Sequence, residues 1–116
     1  MSKALTVELI HMKTKTNRID SIKSLNLWGN DLDDITIVSQ MPSLEVLSLS
    51  VNHITTMKDI QACYNLIELH MRKNSITNLN EVRYLQNLRK LRTLVLSENP
   101  ISDHPLYRSF IIKCLP

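Results

Sequence analysis

A nucleophile, the base that activates it and the acid that orients the base can be assembled from serine, histidine and a carboxylate. Ser48, His70 and Glu68 stand at spacings that would bring them to one sheet face if residues 46–48 and 68–70 were neighbouring strands. Nothing in the sequence marks an activated serine, an oxyanion hole or a deep pocket, so no enzyme is expected. Other chemistries fail on their residue requirements. Gly29 is the single glycine, which removes every glycine-rich phosphate loop. His11, His53, His70 and His104 have no metal-ligand spacing with one another or with Cys63 and Cys114. Asp31, Asp33 and Asp34 lack the glycine and distal glutamate of a calcium loop, so they read as a solvated turn. No metal, cofactor or small-molecule substrate is expected.

The elements that would position these side chains are given by a repeat. Leu44, Leu47, Leu49, Asn52 and Ile54 recur in type and spacing as Ile22, Leu25, Leu27, Asn30 and Leu32, as Leu66, Leu69, Met71, Asn74 and Ile76, and as Leu91, Leu94, Leu96, Asn99 and Ile101. The asparagines are 22, 22 and 25 residues apart. This period and signature predict a leucine-rich-repeat solenoid, an α/β right-handed curved coil in which each unit adds one strand to a concave parallel sheet. Alternation puts the paired leucines of each strand on the core face. Asn30, Asn52, Asn74 and Asn99 then form a structural ladder, their amides pairing backbone groups that would otherwise be buried unsatisfied.

The return segments repeat their apolar residues every third position: Ile35, Val38, Met41; then Met57, Ile60, Cys63; then Leu79, Val82, Leu85, Leu88, Leu91. Threefold spacing predicts 3₁₀ or short α turns, with Cys63 a buried small hydrophobe. The third return is longer by three residues, read as one added turn around Tyr84 to Lys90. A helix over residues 5–15, with Thr6 as cap and Leu5, Leu9 and Met12 facing inward, covers the first coil. Beyond Asn99, a helix capped by Ser102 or Asp103, with Pro105 in its first turn, covers the last coil through Leu106, Phe110 and Ile111. The whole chain, 1–116, is read as a single domain with an N-terminal cap at 1–21, four repeats at 22–101 and a C-terminal cap at 102–116.

Composition sets the setting. Hydrophobic content of 43%, charged content of 22% and a net charge of +3 are ordinary for a soluble domain and too weakly basic to require nucleic acid. No apolar run suffices for a signal peptide or membrane insertion. Two cysteines without paired spacing fit a reducing, cytoplasmic compartment.

The four repeats, with Asn99-Pro100, Tyr107-Arg108, Ile111 and Leu115-Pro116, resemble the 22-residue class of leucine-rich repeats closed by a C-terminal cap. SLNLWGNDLDDI, QMPSLEVLSLSVNHI and EVRYLQNLRKLRTLVLSENP resemble in particular the N-terminal domain of the cilia- and flagella-associated leucine-rich-repeat family of the basal body. Members of the capping class continue past leucine-proline into a further strand, so the cap here reads as incomplete. The resemblance implies an adaptor in cilium, flagellum or basal body, with a ciliary kinase or scaffold as the kind of protein partner.

Outward positions of the four strands carry the function of such a scaffold. Counting alternate residues, the concave face presents Ser24, Asn26 and Trp28, then Val46, Ser48 and Ser50, then Glu68, His70 and Arg72, then Thr93, Val95 and Ser97. Asn26, Trp28, Ser48, Ser50, Glu68, His70, Arg72 and Val95 are the candidate partner-binding residues, with Trp28 and Arg72 in one lateral row as anchors. Trp28 has a competing reading as a lid under the N-terminal helix. A regulatory subunit that targets a phosphatase or kinase, and an RNA- or ribonucleoprotein-binding module using Arg83, Arg89, Lys90 and Arg92, are the alternative functions.

Overall fold

The leucine that recurs in each repeat sets the register of the sheet. In the computed structural model, which describes residues 2–115, Leu25, Leu47, Leu69 and Leu94 stand side by side in parallel strands β1 (Ser24–Asn26), β2 (Val46–Ser48), β3 (Glu68–His70) and β4 (Thr93–Val95). The strands lie in chain order, β1-β2-β3-β4. The buried members of each repeat form one continuous core running the length of the sheet.

Threefold apolar spacing becomes 3₁₀ structure because the buried residues themselves make the bonds that close each turn. Val38 N–H donates to Ile35 O at 2.9 Å and Met41 N–H to Val38 O at 3.0 Å. Ile60 and Cys63 repeat this at 3.0 and 2.9 Å. The resulting segments are Thr36–Gln40, Lys58–Ala62 and Leu79–Leu85. The added turn of the third return is not a regular helix at Tyr84 to Lys90. Asn78, whose side chain accepts from Asn80 N–H, starts the helix at Leu79 and it ends at Leu85. The apolar triplets then continue as separate turns, Leu88 N–H to Leu85 O and Leu91 N–H to Leu88 O, both at 3.1 Å.

At the N-terminal end, α1 (Val7–Thr14) starts where Thr6 Oγ1 accepts from Leu9 N–H and ends at left-handed Lys15. Its buried residue is Ile10, and Met12 is 68% exposed rather than inward. Two positions along a helix rotate the side chain by about 200°, so with Ile10 in the core Met12 must face out. An arm before the helix joins the first return, Leu5 N–H donating to Asp34 O at 2.8 Å and Asp33 N–H to Lys3 O at 3.0 Å.

At the other end, a 3₁₀ turn (Pro100–Asp103) leads into α2 (Tyr107–Cys114). Neither Ser102 nor Asp103 caps this helix, because both lie in the preceding turn, where the Ser102 hydroxyl donates to Asn99 O. Pro105 precedes the first turn. The N-cap is Leu106, which is exposed and makes no side-chain capping bond. Tyr107, Phe110, Ile111, Cys114 and Leu115 pack on the core in its place, and Arg83 lies 5.6 Å from the centroid of the Phe110 ring. Pro116 of the cap motif lies outside the described residues.

Candidate functional site

A binding surface on a sheet needs the chain to leave every strand in the same way, and one backbone device does this four times. Gly29, Val51, Lys73 and Glu98, each just before a ladder asparagine, have positive φ of 66°, 60°, 58° and 60°. The left-handed residue swings the chain off the sheet, while its N–H still reaches the next coil: Gly29 to Ser50 O, Val51 to Arg72 O and Lys73 to Ser97 O, at 3.0, 2.8 and 3.0 Å. Sequence reading missed this device, and Gly29 was its only visible signal, since glycine alone enters that region freely.

Turned inward, the asparagines bind two coils each. Asn52 Nδ2 donates to Leu27 O (3.0 Å) and Leu49 O (2.8 Å), and its Oδ1 accepts from Asn30 N–H (3.1 Å) and Leu32 N–H (2.9 Å). Asn74 Nδ2 reaches Leu49 O and Met71 O, and Asn99 Nδ2 reaches Met71 O and Leu96 O; their Oδ1 atoms accept from Ile54 N–H and Ile76 N–H. Asn30 departs from the ladder. It is half-buried and its side-chain amide donates within its own turn, to Trp28 O at 3.1 Å, because among the described residues no strand precedes β1 for it to bridge.

The face thus held presents three lateral rows. Trp28 is 60% exposed, so it is not a lid under α1. Its backbone is pinned from both sides: its N–H donates to Asn26 Oδ1 and its carbonyl accepts from Asn30 Nδ2, each at 3.1 Å. Ser50, expected to be open, is 7% exposed. Its row flanks it with the much larger Trp28 and Arg72, so the short side chain is shaded. Arg72 is not a free cation either. Its guanidinium pairs with Glu98, the left-handed residue of the next coil. Glu98 escaped the sequence count because strand alternation assigns it no outward position.

Glu68 Oε1 lies 3.1 Å from His70 Nε2, and Ser48 is the direct cross-strand neighbour of His70. The imidazole nitrogen facing Glu68 is thereby engaged, Ser48 makes no hydrogen bond to His70, and the well-formed cavities lie off this face. Two parts of a triad without a nucleophile–base contact make a polar patch. Val95 completes this row, half-buried. The Cys63 thiol lies against Val38 O at 3.6 Å, and burial pushes its pKa up to about 12. Among the described residues, no group of His, Cys, Asp or Glu is arranged to hold a metal and no helix is long and apolar enough to cross a membrane.

Residues 5–116 match the family model described as leucine-rich repeat. This chain belongs to the leucine-rich-repeat family. It is 43% identical over 115 residues to cilia- and flagella-associated protein 410 of Mus musculus, a match that spans 97% of this chain and 46% of the relative. The Homo sapiens protein of the same name is also 43% identical, with 44% of its length covered. The chain therefore spans just under half of these relatives. Among solved leucine-rich-repeat structures, internalin C2 of Listeria monocytogenes superposes with a TM-score of 0.65 at 31% identity, covering 77% of this chain and 39% of that one. The Drosophila melanogaster SNF/U2A' complex gives 0.66 at 23% identity over 98% of this chain and 80% of that one, a likeness of fold. The molecule is a leucine-rich-repeat interaction domain homologous to a cilia- and flagella-associated protein.

Proposed function

We propose that the chain is a non-enzymatic adaptor that presents its concave face to a protein partner, with Trp28 as the anchor, in the assembly or organisation of the cilium, flagellum or basal body. The observation that carries this reading is Trp28 itself: a large aromatic side chain, more than half exposed, on a backbone held by Asn26 and Asn30, in a face of otherwise small or polar side chains. Tryptophan and arginine are enriched at binding hot spots. The relatives' name supports the setting, and a ciliary kinase or scaffold is the kind of partner it suggests.

Arg72 and Glu98 act in this reading as a unit that can open. An exposed ion pair contributes about 0 to 1 kcal/mol, so an acidic group on the partner can take the guanidinium at small cost. Ser48 and His70 form the floor, and Glu68 and Val95 its border. Ser50 contributes clearance rather than contact.

The test uses a partner recovered by affinity purification from ciliated cells and titrated against purified chain. Trp28→Ala should cost about 2 to 4 kcal/mol of binding, roughly 30- to 1000-fold in affinity, while the melting temperature changes little because the ring is open to solvent. Normal binding by a folded Trp28→Ala variant overturns the anchor. A steep loss of binding with added salt would instead favour a nucleic-acid ligand.

A further inference from the structure

The segments that lead into the strands form a rim of their own. Glu45 N–H donates to Lys23 O and Ile67 N–H to Glu45 O, both at 2.7 Å, and Arg92 N–H donates to Ile67 O at 2.8 Å, which sets Lys23, Glu45, Ile67 and Arg92 side by side. Two residues back from this row, Lys90 Nζ donates to Asn65 Oδ1 at 2.9 Å, and Asn65 Nδ2 donates to Pro42 O at 3.1 Å. The Lys90 ammonium is thus held by a chain of bonds that crosses three coils. Between the lead-in to β3 and the lead-in to β4 a cavity of about 530 Å³ opens, lined by Ile67, Arg89, Lys90 and Arg92. Its walls come from two neighbouring coils, so it is a feature of the stack and not of either end.

Three of the four lining residues are cations and none is an acid. Lys90 keeps two of its three N–H donors after bonding Asn65, and Arg89 and Arg92 are exposed and take part in no ion pair among the described residues. Carboxylates of the adjoining segments are engaged elsewhere: Glu68 with His70, Glu98 with Arg72, and Glu81 with the Thr56 hydroxyl and Met57 N–H. Glu45 stands two places along the row from Arg92, roughly 10 Å away at the usual strand spacing. Like charges around one cavity repel, and an anion placed between them removes that cost. A carboxylate brings one charge and two oxygens. A phosphate monoester brings close to two charges and three terminal oxygens, and the guanidinium fork meets such oxygens in pairs. Ile67, half-buried beside the cations, adds an apolar wall for the carbon skeleton that bears the phosphate. A nucleic-acid strand needs a charged track with aromatic side chains for stacking, and no aromatic residue lines this cavity.

We propose that this cavity binds a phosphorylated threonine or tyrosine in a segment of a partner protein, at a site separate from the concave face. Arg89 and Arg92 take the terminal phosphate oxygens through paired N–H bonds, the Lys90 ammonium adds the third charge, and the threonine methyl or tyrosine ring packs on Ile67. The site is a reader: neither a nucleophile nor a base lines it, so it holds the phosphate without removing it. Attachment through this rim then depends on a kinase having acted on the partner, whereas the concave face needs no such step.

The experiment immobilises the chain and offers peptides with a fixed central phosphothreonine or phosphotyrosine and random flanks, alongside the same peptides unphosphorylated or with glutamate at the centre. Phosphorylated peptides should be retained, and a recovered peptide titrated in solution should bind roughly tenfold or more tightly than its glutamate counterpart. Arg89→Gln combined with Arg92→Gln should weaken it by a similar factor and Lys90→Met by less; all three side chains are exposed, so the melting temperature should hold. Trp28→Ala should leave this affinity unchanged. Binding should strengthen as pH rises from about 5 to 7, where the phosphate loses its second proton. Any of five results overturns the proposal: phosphorylated peptides retained no better than glutamate ones; affinity unmoved by the paired arginine variant; binding lost with Trp28→Ala; inorganic phosphate binding as tightly as the peptide, meaning that the site takes free phosphate; or single-stranded RNA displacing the peptide at lower concentration, meaning a nucleic-acid surface.

Discussion

Asn52 and Asn30 are the same residue at the same place in successive coils, yet they do different work. Asn52 has a coil before it, and its amide bonds to Leu27 O, Asn30 N–H and Leu32 N–H of that coil and to Leu49 O of its own. Asn30 has a coil on one side only and turns back on its own strand exit. The strand leucines repeat the contrast at the other end, with Leu69 enclosed between β2 and β4 and Leu94 half-open. A repeat residue thus takes its energetic role from its neighbours rather than from its own unit, as expected of a quasi-one-dimensional stack.

The largest effect that could break this contrast is in the core. Leu69→Ala should cost about 2 to 5 kcal/mol through the cavity it leaves, and Leu94→Ala about 1 to 2, in proportion to its smaller burial. Equal losses in urea denaturation would mean that β4 is as enclosed as β3. Next come the amides. Asn52→Ala leaves buried backbone groups unpaired and should cost about 2 to 3 kcal/mol, with Asn30→Ala below about 1.

Smaller and opposite in sign are the substitutions before the asparagines. A Cβ at Gly29 would touch nothing within 4 Å, but its φ is +66°, so Gly29→Ala should cost about 1 kcal/mol from backbone strain alone. At Val51 the strained residue is already present, and Val51→Gly should be neutral or stabilising in thermal melts, relief of about 1 to 2 kcal/mol offsetting the greater unfolded freedom of glycine.

The smallest effect lies in the first return. The Thr36 hydroxyl, and then the Thr36 N–H, holds the Asp34 carboxyl below its usual range. A carboxyl depressed in the folded state adds stability above its unfolded pKa, and that stability is lost as pH falls through the folded value. Thr36→Val should raise the Asp34 pKa in an NMR titration and shallow the acid limb of the stability curve below about pH 4.

The solenoid, its strand register and its buried leucines were legible because they follow from a repeat of about 22 residues and from the periods of two and three within it. Trp28 and Arg72 could be placed on the face for the same reason. What the sequence hid depends on contacts between units. The burial of Ser50 is set by residues 22 positions away on either side, and the partner of Arg72 sits in a turn 26 residues downstream. Met12 and Leu106 were assigned inward on spacing alone, but the ends have no repeat to fix their phase, so tertiary packing selected Ile10 and Tyr107.

The longer third return has a consequence for how such a chain can grow. Its insertion is three residues long, one full period of the turns on that side, so Leu85, Leu88 and Leu91 follow Val82 inward without a change of phase. An insertion of one or two residues would rotate each later apolar side chain by about 120° or 240° and expose it. Length on the outer side is therefore a quantised variable. A triplet lengthens the coil behind the sheet while the strands in front stay paired, as β3 and β4 do across this return, which gives mutation a way to extend the outer side without touching the residues the scaffold presents.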